Sequence, residues 1–408
     1  MENPLRVLFQ RRSVGSPYEL IQALTRGVRS VAGTDVHEAS ALRIAAVLTC
    51  VSLVSRTIAS LPLKVYERTE DGRGKQPASG HPLGRVLSQP NSWQTRSEFV
   101  QTLHAHLMLR GNAYAWINRV TDPRFGTQVA ELIPLDPDRV TVTQPDEFSG
   151  LTYTLTRANG ATVPIPSDQM LHLRGLSTNG ITGRSVLQDA RDVIGIAQAT
   201  QSHAGSYWAG GGVPDVALRH PKALGDKARK NIEESYASTY GSSADRRRWI
   251  ILEEGMEIAP ISVSAEDAQF LETRKFQRGE ICGLFHVPPH LIGDTEKSTS
   301  WGTGIEQQTI GFVNFGIRPW LVAWEQRLNR ELITNQGRFF TEFSIDGFMR
   351  GDSAARGTFY TQMRQIGAYS ANDVREKENL NPIDGGDDYR PLVLGKEQSA
   401  TRAEGVPV

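Results

Sequence analysis

Apolar side chains recur at helical spacing at Ile44, Val47, Leu48, Val51, Val54, Ile58 and Leu61, which predicts an amphipathic helix over residues 40–61. Pro62 ends it, since proline cannot donate the next helical hydrogen bond. Residues Leu63 to Tyr66 alternate as a strand, and Glu70 to Gly74 form a turn. A second helix is expected over 95–110, closed by Gly111. From Ala113 to Leu173 the period shortens to that of strands, in short runs separated by Pro, Asp and Gly clusters. Residues 1–38 have no such period and read as a loosely ordered arm.

The character changes at 185. Residues 185–209 read as a helix rich in small side chains: Ala190, Gly195, Ala197, Ala199, Ser202, Ala204, Gly205 and Ser206. The triplet Gly210–Gly212 breaks it. Residues 213–263 form an α/β insert, with a strand near 215–219, a polar helix over 222–240 and a strand pair around 249–252 and 256–258. A second long helix starts at Ser264, whose spacing to Asp267 has capping-box form, and stops at Pro288 and Pro289. An insert held between two helices of similar length makes a stalk with the insert at its tip.

After a polar loop, Ile310, Val313, Ile317, Leu321, Trp324, Leu328 and Leu332 step by threes and fours along one helix. Pro319 lies inside it, so a kink is expected between Gly316 and Pro319. Residues 338–346 read as a strand, and shorter helices follow near 353–366 and 371–379, the second with a capping box from Ser370 to Asp373. The tail from Gly385 reads as irregular. The mixture is α+β, and 408 residues suggest two to four structural units.

Composition narrows the function. Lys plus Arg and Asp plus Glu are both 45, so the formal net charge is zero. A protein that grips phosphates over its whole surface would be basic. Only 9 of the 45 basic residues are Lys; Arg suits bidentate contacts at interfaces, and genomic base composition is the plainer source of the bias. Cys50 and Cys282 each lie in an apolar stretch with no CxxC pair, which reads as two buried thiols in a reducing compartment. Residues 1–20 lack the apolar core of a signal peptide, and the run from Ile44 to Val54 is too short to cross a membrane.

Motifs for catalysis are missing. No GxxxxGK[ST] is present; the run from Gly293 to Thr299 lacks the glycine before Lys297 that would let backbone amides wrap a phosphate. Gly302 and Gly304 follow a polar loop rather than a strand, so they make a poor dinucleotide motif. His104 and His106 point to different helix faces, and prolines separate His286 from His290, so neither pair has zinc-ligand spacing. Asp384 to Asp388 read as a solvated turn rather than a calcium loop, and no Gly-x-Ser-x-Gly exists. Arg246, Arg247 and Arg248 form the densest basic cluster; a solvated hairpin competes there with contact to phosphates or an acidic partner. Trp208, Trp301 and Trp320 are candidate interface anchors, whereas Trp324 lies on the helix stripe and reads as core.

Several segments, in order, resemble the portal proteins of long-tailed bacteriophages. They are Ser40–Val47 with Ile58–Tyr66, Arg110–Tyr114, Leu132–Pro137, Gly283–Gly293, Phe348–Asp352, and Glu378–Pro382 with Gly385–Asp387. The Gly283–Gly293 segment is close to the family's "fGVPp-lig" pattern. The resemblance spans roughly 40–395, and residues 1–39 match weakly.

The resemblance implies a portal fold assembled into a ring, usually of twelve copies. After an N-terminal arm (1–39), it implies a wing (40–184), a stem helix (185–211), a clip (212–264), a second stem helix (265–286), the rest of the wing (287–346), and a crown with tail (347–408). The later wing segment would hold a tunnel loop (293–304) and a kinked helix (305–335). Lys297, Ser298, Thr299, Ser300 and Trp301 would face double-stranded DNA, and Arg246–Arg248 would meet partners. Those partners would be other copies of the chain, the terminase motor, a head–tail adaptor, and the major capsid and scaffolding proteins. The protein would be assembled in the host cytoplasm and reside at the capsid vertex, with no membrane, metal, cofactor or catalytic residue involved. The alternatives are a terminase-like nuclease or ATPase and another capsid structural protein.

Overall fold

The computed structural model describes residues 29–70, 74–122, 126–209, 216–219, 230, 257–260, 265–294, 303–345, 353–378 and 380–391. In chain order the elements are α1 (Glu38–Ala41), α2 (Ala45–Ser60), β1 (Leu63–Arg68), β2 (Lys75–Pro77), α3 (Pro82–Ser88), α4 (Arg96–Arg110), β3 (Asn112–Asp122) and β4 (Gly126–Leu135). Then come β5 (Val140–Thr143), β6 (Thr152–Thr156), β7 (Thr162–Ile165), β8 (Met170–Arg174), α5 (Val186–Asp189), α6 (Arg191–Ala209), β9 (Val216–Arg219) and β10 (Glu257–Pro260). The chain continues through α7 (Ala265–Leu284), α8 (Thr303–Gly311), a π-helical segment (Phe312–Ile317), α9 (Arg318–Leu332), β11 (Phe339–Phe343), α10 (Ser353–Gln365) and α11 (Ala371–Lys377).

The chain divides into two units, residues 1–60 with 65–340, and residues 61–64 with 341–408. In the larger unit, β4-β3-β8 and β5-β6-β7 are antiparallel three-stranded sheets. Tyr114, Tyr153, Ile165 and Met170 bury their side chains together, with Trp116, Leu135, Val140 and Leu155 packed around them. β3 carries an irregularity between Asn118 and Arg119, where its register against β4 shifts.

Helix α4 begins with a capping box: the Thr95 hydroxyl accepts from the Glu98 amide, and Glu98 accepts from the Thr95 amide. It ends at Gly111, which takes the left-handed conformation at φ 71°. On α2 the buried face is Val47, Val51, Val54 and Ile58, each worth about 1.5–3 kcal/mol of apolar burial. Leu48 departs from the predicted stripe and is 50% exposed. Ile310 likewise leaves the predicted stripe, at 42% exposed, while Val313, Ile317, Leu321, Trp324, Leu328 and Leu332 are buried. An apolar period marks a candidate face; which of its edges is covered depends on neighbouring elements.

Trp324 is core. It has no exposed surface, and its Nε1–H donates to His104 Nδ1 at 3.3 Å. Trp320 meets His104 edge-on, with ring centroids 5.2 Å apart.

In the smaller unit, the Ser370–Asp373 capping box starts α11, as its spacing predicts. Glu378 is held by Arg356 at 3.4 Å and by the Tyr360 hydroxyl at 2.8 Å. The 384–388 turn folds around Asn372, whose Oδ1 accepts from Ile383 N–H and whose Nδ2 donates to Asp387. That leaves Asp387 engaged in structure. Asp388 pairs with Arg390 at 2.6 Å.

Two buried histidines in the larger unit give the fold an acid limit. Burial pushes His104 down to about 3. His172 is also pushed down to about 3, first by burial and then by Arg174 and Arg327. Both are neutral when folded and titrate near 6.5 when unfolded, so their contribution is complete above pH 6.5 and is lost as pH falls toward 3. In acid titrations followed by circular dichroism, stability should fall below pH 6.5 by about 1.4 kcal/mol per pH unit for each histidine. His104→Gln should flatten that slope.

Candidate functional site

The segments Arg110–Tyr114 and Leu132–Pro137 meet beside the end of α4. Arg110, at the end of α4, pairs with Glu38 at 3.3 Å and with Asp138 at 2.6 Å. Burial raises the pKa of Asp138, against the opposing pull of Arg110. Two of the family-like segments, Arg110–Tyr114 and the one ending at Pro137, are therefore joined by an ion pair at their edges.

The next residues form a backbone crossing. A side chain at Gly111 would overlap the Arg184 carbonyl, and one at Gly183 would overlap the Gly111 carbonyl. Asn112 clamps the crossing: its Oδ1 accepts from Gly183 N–H at 2.7 Å, and its Nδ2 donates to Gly183 O at 2.8 Å. His172 Nε2 lies 3.0 Å from the same Oδ1, and the Tyr153 hydroxyl lies 3.2 Å from His172 Nδ1. A cleft of about 470 Å³ opens here, lined in part by Arg110, Asn112, Asp138, Gly183, Arg184 and Asp189. Its arginines are paired, Arg184 being bidentate to Asp189 at 2.8 and 2.6 Å. Asn112 and Ser185 in its lining bond to the backbone groups of Gly183 and Leu109.

From this crossing the chain enters α5 and α6. The helix expected over 185–209 is interrupted at Ala190, whose ψ of 17° separates the two. Its small residues serve two purposes. Gly195 and Ala197 are buried, and Ser30 and Thr34 lie against Gly195, with Thr34 Oγ1 donating to Gly195 O at 3.2 Å. Asp192 accepts from Val31 N–H at 3.0 Å. So residues 30–34, expected to be part of a loose arm, are tied to α6. Ser202, Gly205 and Ser206 face outward.

Helix α7 packs against α6, and Gln277 Nε2 donates to Thr200 Oγ1 at 3.2 Å. Phe276 is 67% exposed on α7. Gly279 and Gly283 are exposed too, with open space where a Cβ would stand. Between the helices, β9 and β10 pair antiparallel, Val216 opposite Pro260. The expected strand near 256–258 thus finds its partner in the strand near 215–219.

Helix α7 ends in a Schellman motif: Val287 N–H donates to Cys282 O at 2.9 Å, and His286 N–H to Gly283 O at 3.2 Å. Such a motif needs a left-handed residue between helix and exit. His286 fills that place at φ 54°, where the family pattern has glycine. Gly316 comes against this turn, and a Cβ there would stand 3.1 Å from His286 O and 2.9 Å from the Phe312 ring. Gly316 thus allows a close approach. It sits in the π-helical segment, closed by Arg318 N–H donating to Val313 O, while Pro319 lies in the first turn of α9, where its missing N–H costs nothing. Phe315 is left 80% exposed.

Lys297, Ser298, Thr299, Ser300 and Trp301 lie outside the described residues, as do Arg246, Arg247 and Arg248 and the expected elements at 222–229, 231–240 and 249–256. The described ends at Asp294 and Thr303 bracket the first of these loops, and Asp294 is anchored by Arg278 at 3.2 Å. Among the described residues, no group of three or more His, Cys, Asp or Glu side chains could hold a metal ion, and no helix is long and apolar enough to cross a membrane. Sequence reasoning missed the Gly111–Gly183 crossing, because its partners are far apart in the chain. It also missed His286, although the substitution of His for the family's glycine was a visible signal.

Residues 45–379 match the profile of the family described as "Phage portal protein". The chain is 34% identical to the portal protein of Enterobacteria phage HK97 over 358 residues, covering 87% of this chain and 82% of the relative. It is 32% identical to the probable portal protein of Streptomyces phage phiC31 over 385 residues, covering 91% and 82%. Its fold is similar to that of a chain in the virion of a native gene transfer agent particle, with a TM-score of 0.60, 20% identity, and coverage of 89% of this chain and 99% of that one. An HK97 family portal protein from Corynebacterium diphtheriae aligns with a TM-score of 0.52 at 19% identity, covering 77% and 98%. The fold and the ordered segments define a portal-type structural subunit. The chain belongs to the phage portal protein family.

Two substitutions test the geometry. Gly111→Ala should cost at least about 2 kcal/mol, because it adds left-handed strain to a backbone overlap; denaturant unfolding reads this. His286→Gly should stabilise the protein by about 1 kcal/mol by relieving a left-handed side chain, seen as a higher unfolding midpoint.

Proposed function

We propose that this chain is one subunit of a closed ring at a capsid vertex, through which double-stranded DNA is packaged and later ejected. The observation that carries this reading is the α6–α7 pair, which leaves one body, bears an insert and returns, while presenting an uncovered Phe276 beside open Gly279 and Gly283. A closed ring is built from one repeated head-to-tail interface. Covering Phe276 in each interface would contribute about 1.5–3 kcal/mol per subunit. A fold relative described as the neck of a native gene transfer agent particle was computed with C12 symmetry, which supports twelve copies.

In this reading the wing is residues 40–184 and 287–346, the stem is 185–211 and 265–286, the clip is 212–264, and the crown and tail are 347–408. Arg246–Arg248 in the clip meet the terminase motor and later the head–tail adaptor, and the wing meets the major capsid and scaffolding proteins. Lys297, Ser298, Thr299, Ser300 and Trp301 face the DNA, and Gly316 and Pro319 kink the helix behind them. Strong phosphate binding releases counterions and makes DNA stick. A chain with 45 basic and 45 acidic residues lets DNA pass instead. The chain does no chemistry on the DNA; the force comes from the bound motor.

Negative-stain images of the purified protein should show isolated rings with a central hole, and closed shells or persistent monomers would overturn the reading. Phe276→Glu should abolish rings while leaving the circular dichroism spectrum unchanged. Deleting residues 295–301 should leave rings intact and impair DNA packaging or retention; normal packaging by that variant excludes a role for the loop.

A further inference from the structure

Helix α10 of the smaller unit is inverted. Every exposed position from Gly357 to Ile366 is uncharged, with Phe359 at 44% and Ile366 at 68% exposed among them. The charged side chains turn the other way. Arg356 and Arg364 are half-buried. Arg356 pairs with Glu378 at 3.4 Å, and Arg364 Nη1 donates to the carbonyls of Tyr369 and Asp388 at 2.9 and 2.7 Å. A surface helix of a self-sufficient unit does the reverse, apolar inward and charged outward. Among the described residues between 356 and 391, the buried positions are Ser370 and Gly386, and no apolar side chain is buried. These two helices therefore lack an apolar core of their own.

A second apolar group lies beyond α11, with Leu380 at 53% and Ile383 at 49% exposed. Backbone hydrogen bonds fix it: Leu380 N–H donates to Arg375 O at 2.7 Å, and Ile383 N–H to Asn372 Oδ1 at 2.8 Å. We propose that the two groups are the halves of one contact between copies of this chain. Phe359 and Ile366 of one copy pack on Leu380 and Ile383 of the next, an inference that rests on the ring reading above.

Three features select a second copy as the occupant. A closed ring joins two different patches of the same subunit, head to tail, and the unit carries two. The core of a protein interface is depleted of charge, and the exposed face of α10 has none. The second group is bordered by exposed Glu376, Asp384 and Asp387. That border repels nucleic acid and acidic lipid, whereas an uncharged helix face brings no like charge to it. Four partly exposed side chains make a small contact. It reinforces a ring that Phe276 also closes and does not build one alone.

The test uses the full-length protein with cysteines introduced in pairs: Phe359→Cys or Ile366→Cys, each combined with Leu380→Cys or Ile383→Cys. Each variant is treated with a short bismaleimide and run on a denaturing gel. The native Cys50 and Cys282 are 0% and 1% exposed, and the unsubstituted protein is the control. At least one pair should give a ladder of covalent oligomers extending beyond the dimer, while single-cysteine variants stay monomeric. Ile366→Glu should still form rings in negative stain, and those rings should fall apart at a lower temperature than the unsubstituted ones. Absence of rings in the unsubstituted protein removes the ring reading and this contact with it. Rings without a ladder from any of the pairs remove this contact alone. A dimer from a single-cysteine variant marks a two-fold contact and also overturns the proposal, as does a cross-link confined to one chain. A ladder that appears only after residues 392–408 are deleted assigns the α10 face to that segment instead. An unchanged dissociation temperature for Ile366→Glu rings is equally decisive against the contact.

Discussion

The architecture depends on one backbone crossing. Gly111 and Gly183 approach so closely that neither tolerates a Cβ, and the Gly111 carbonyl also accepts the Gly175 amide at 2.8 Å. Three stretches meet there: the exit of α4, the exit of β8 and the approach to α5. The Asn112 amide satisfies both backbone groups of Gly183, and His172 and Tyr153 complete the network. A satisfied buried polar network is rigid, and its members cannot shift one at a time without leaving groups unpaired. The direction in which the helix pair departs is therefore fixed by hydrogen bonds at its root.

A second constraint acts where the pair returns. The Schellman turn at His286 ends α7, and Gly316 lets the π-helical segment lie against that turn. The π-helical widening and the proline fit together. The extra residue is absorbed before α9, so Pro319 falls in a first turn where its missing donor is harmless. Phe315 is turned out to solvent next to this junction. Root and return thus use the same means, a residue without steric bulk at a backbone contact, with polar groups closing around it.

Charge follows the same economy. Arg110, Arg184, Arg278 and Arg356 each find a carboxylate within the chain. An arginine-rich composition with no net charge thus goes in part into local ion pairing.

The sequence by itself determined most local elements and the family. Periodicity placed α2 and α9, Gly111 closed α4, Pro288 and Pro289 stopped α7, and the capping box at Ser370 marked the start of α11. The ordered series of segments from Ser40 to Asp387 marked a portal protein. It could not say that Leu48 and Ile310 lie outside the core, that residues 30–34 lean on Gly195, or that the helix after Ser185 breaks at Ala190. Nor could it pair 216–219 with 257–260. Those outcomes belong to the tertiary structure. Helical and strand periods are set by neighbours a few residues apart and so are written locally, whereas Gly111 against Gly183 and Gly316 against His286 are contacts between distant positions. Each is decided by which surfaces the chain brings together, and no local pattern records it.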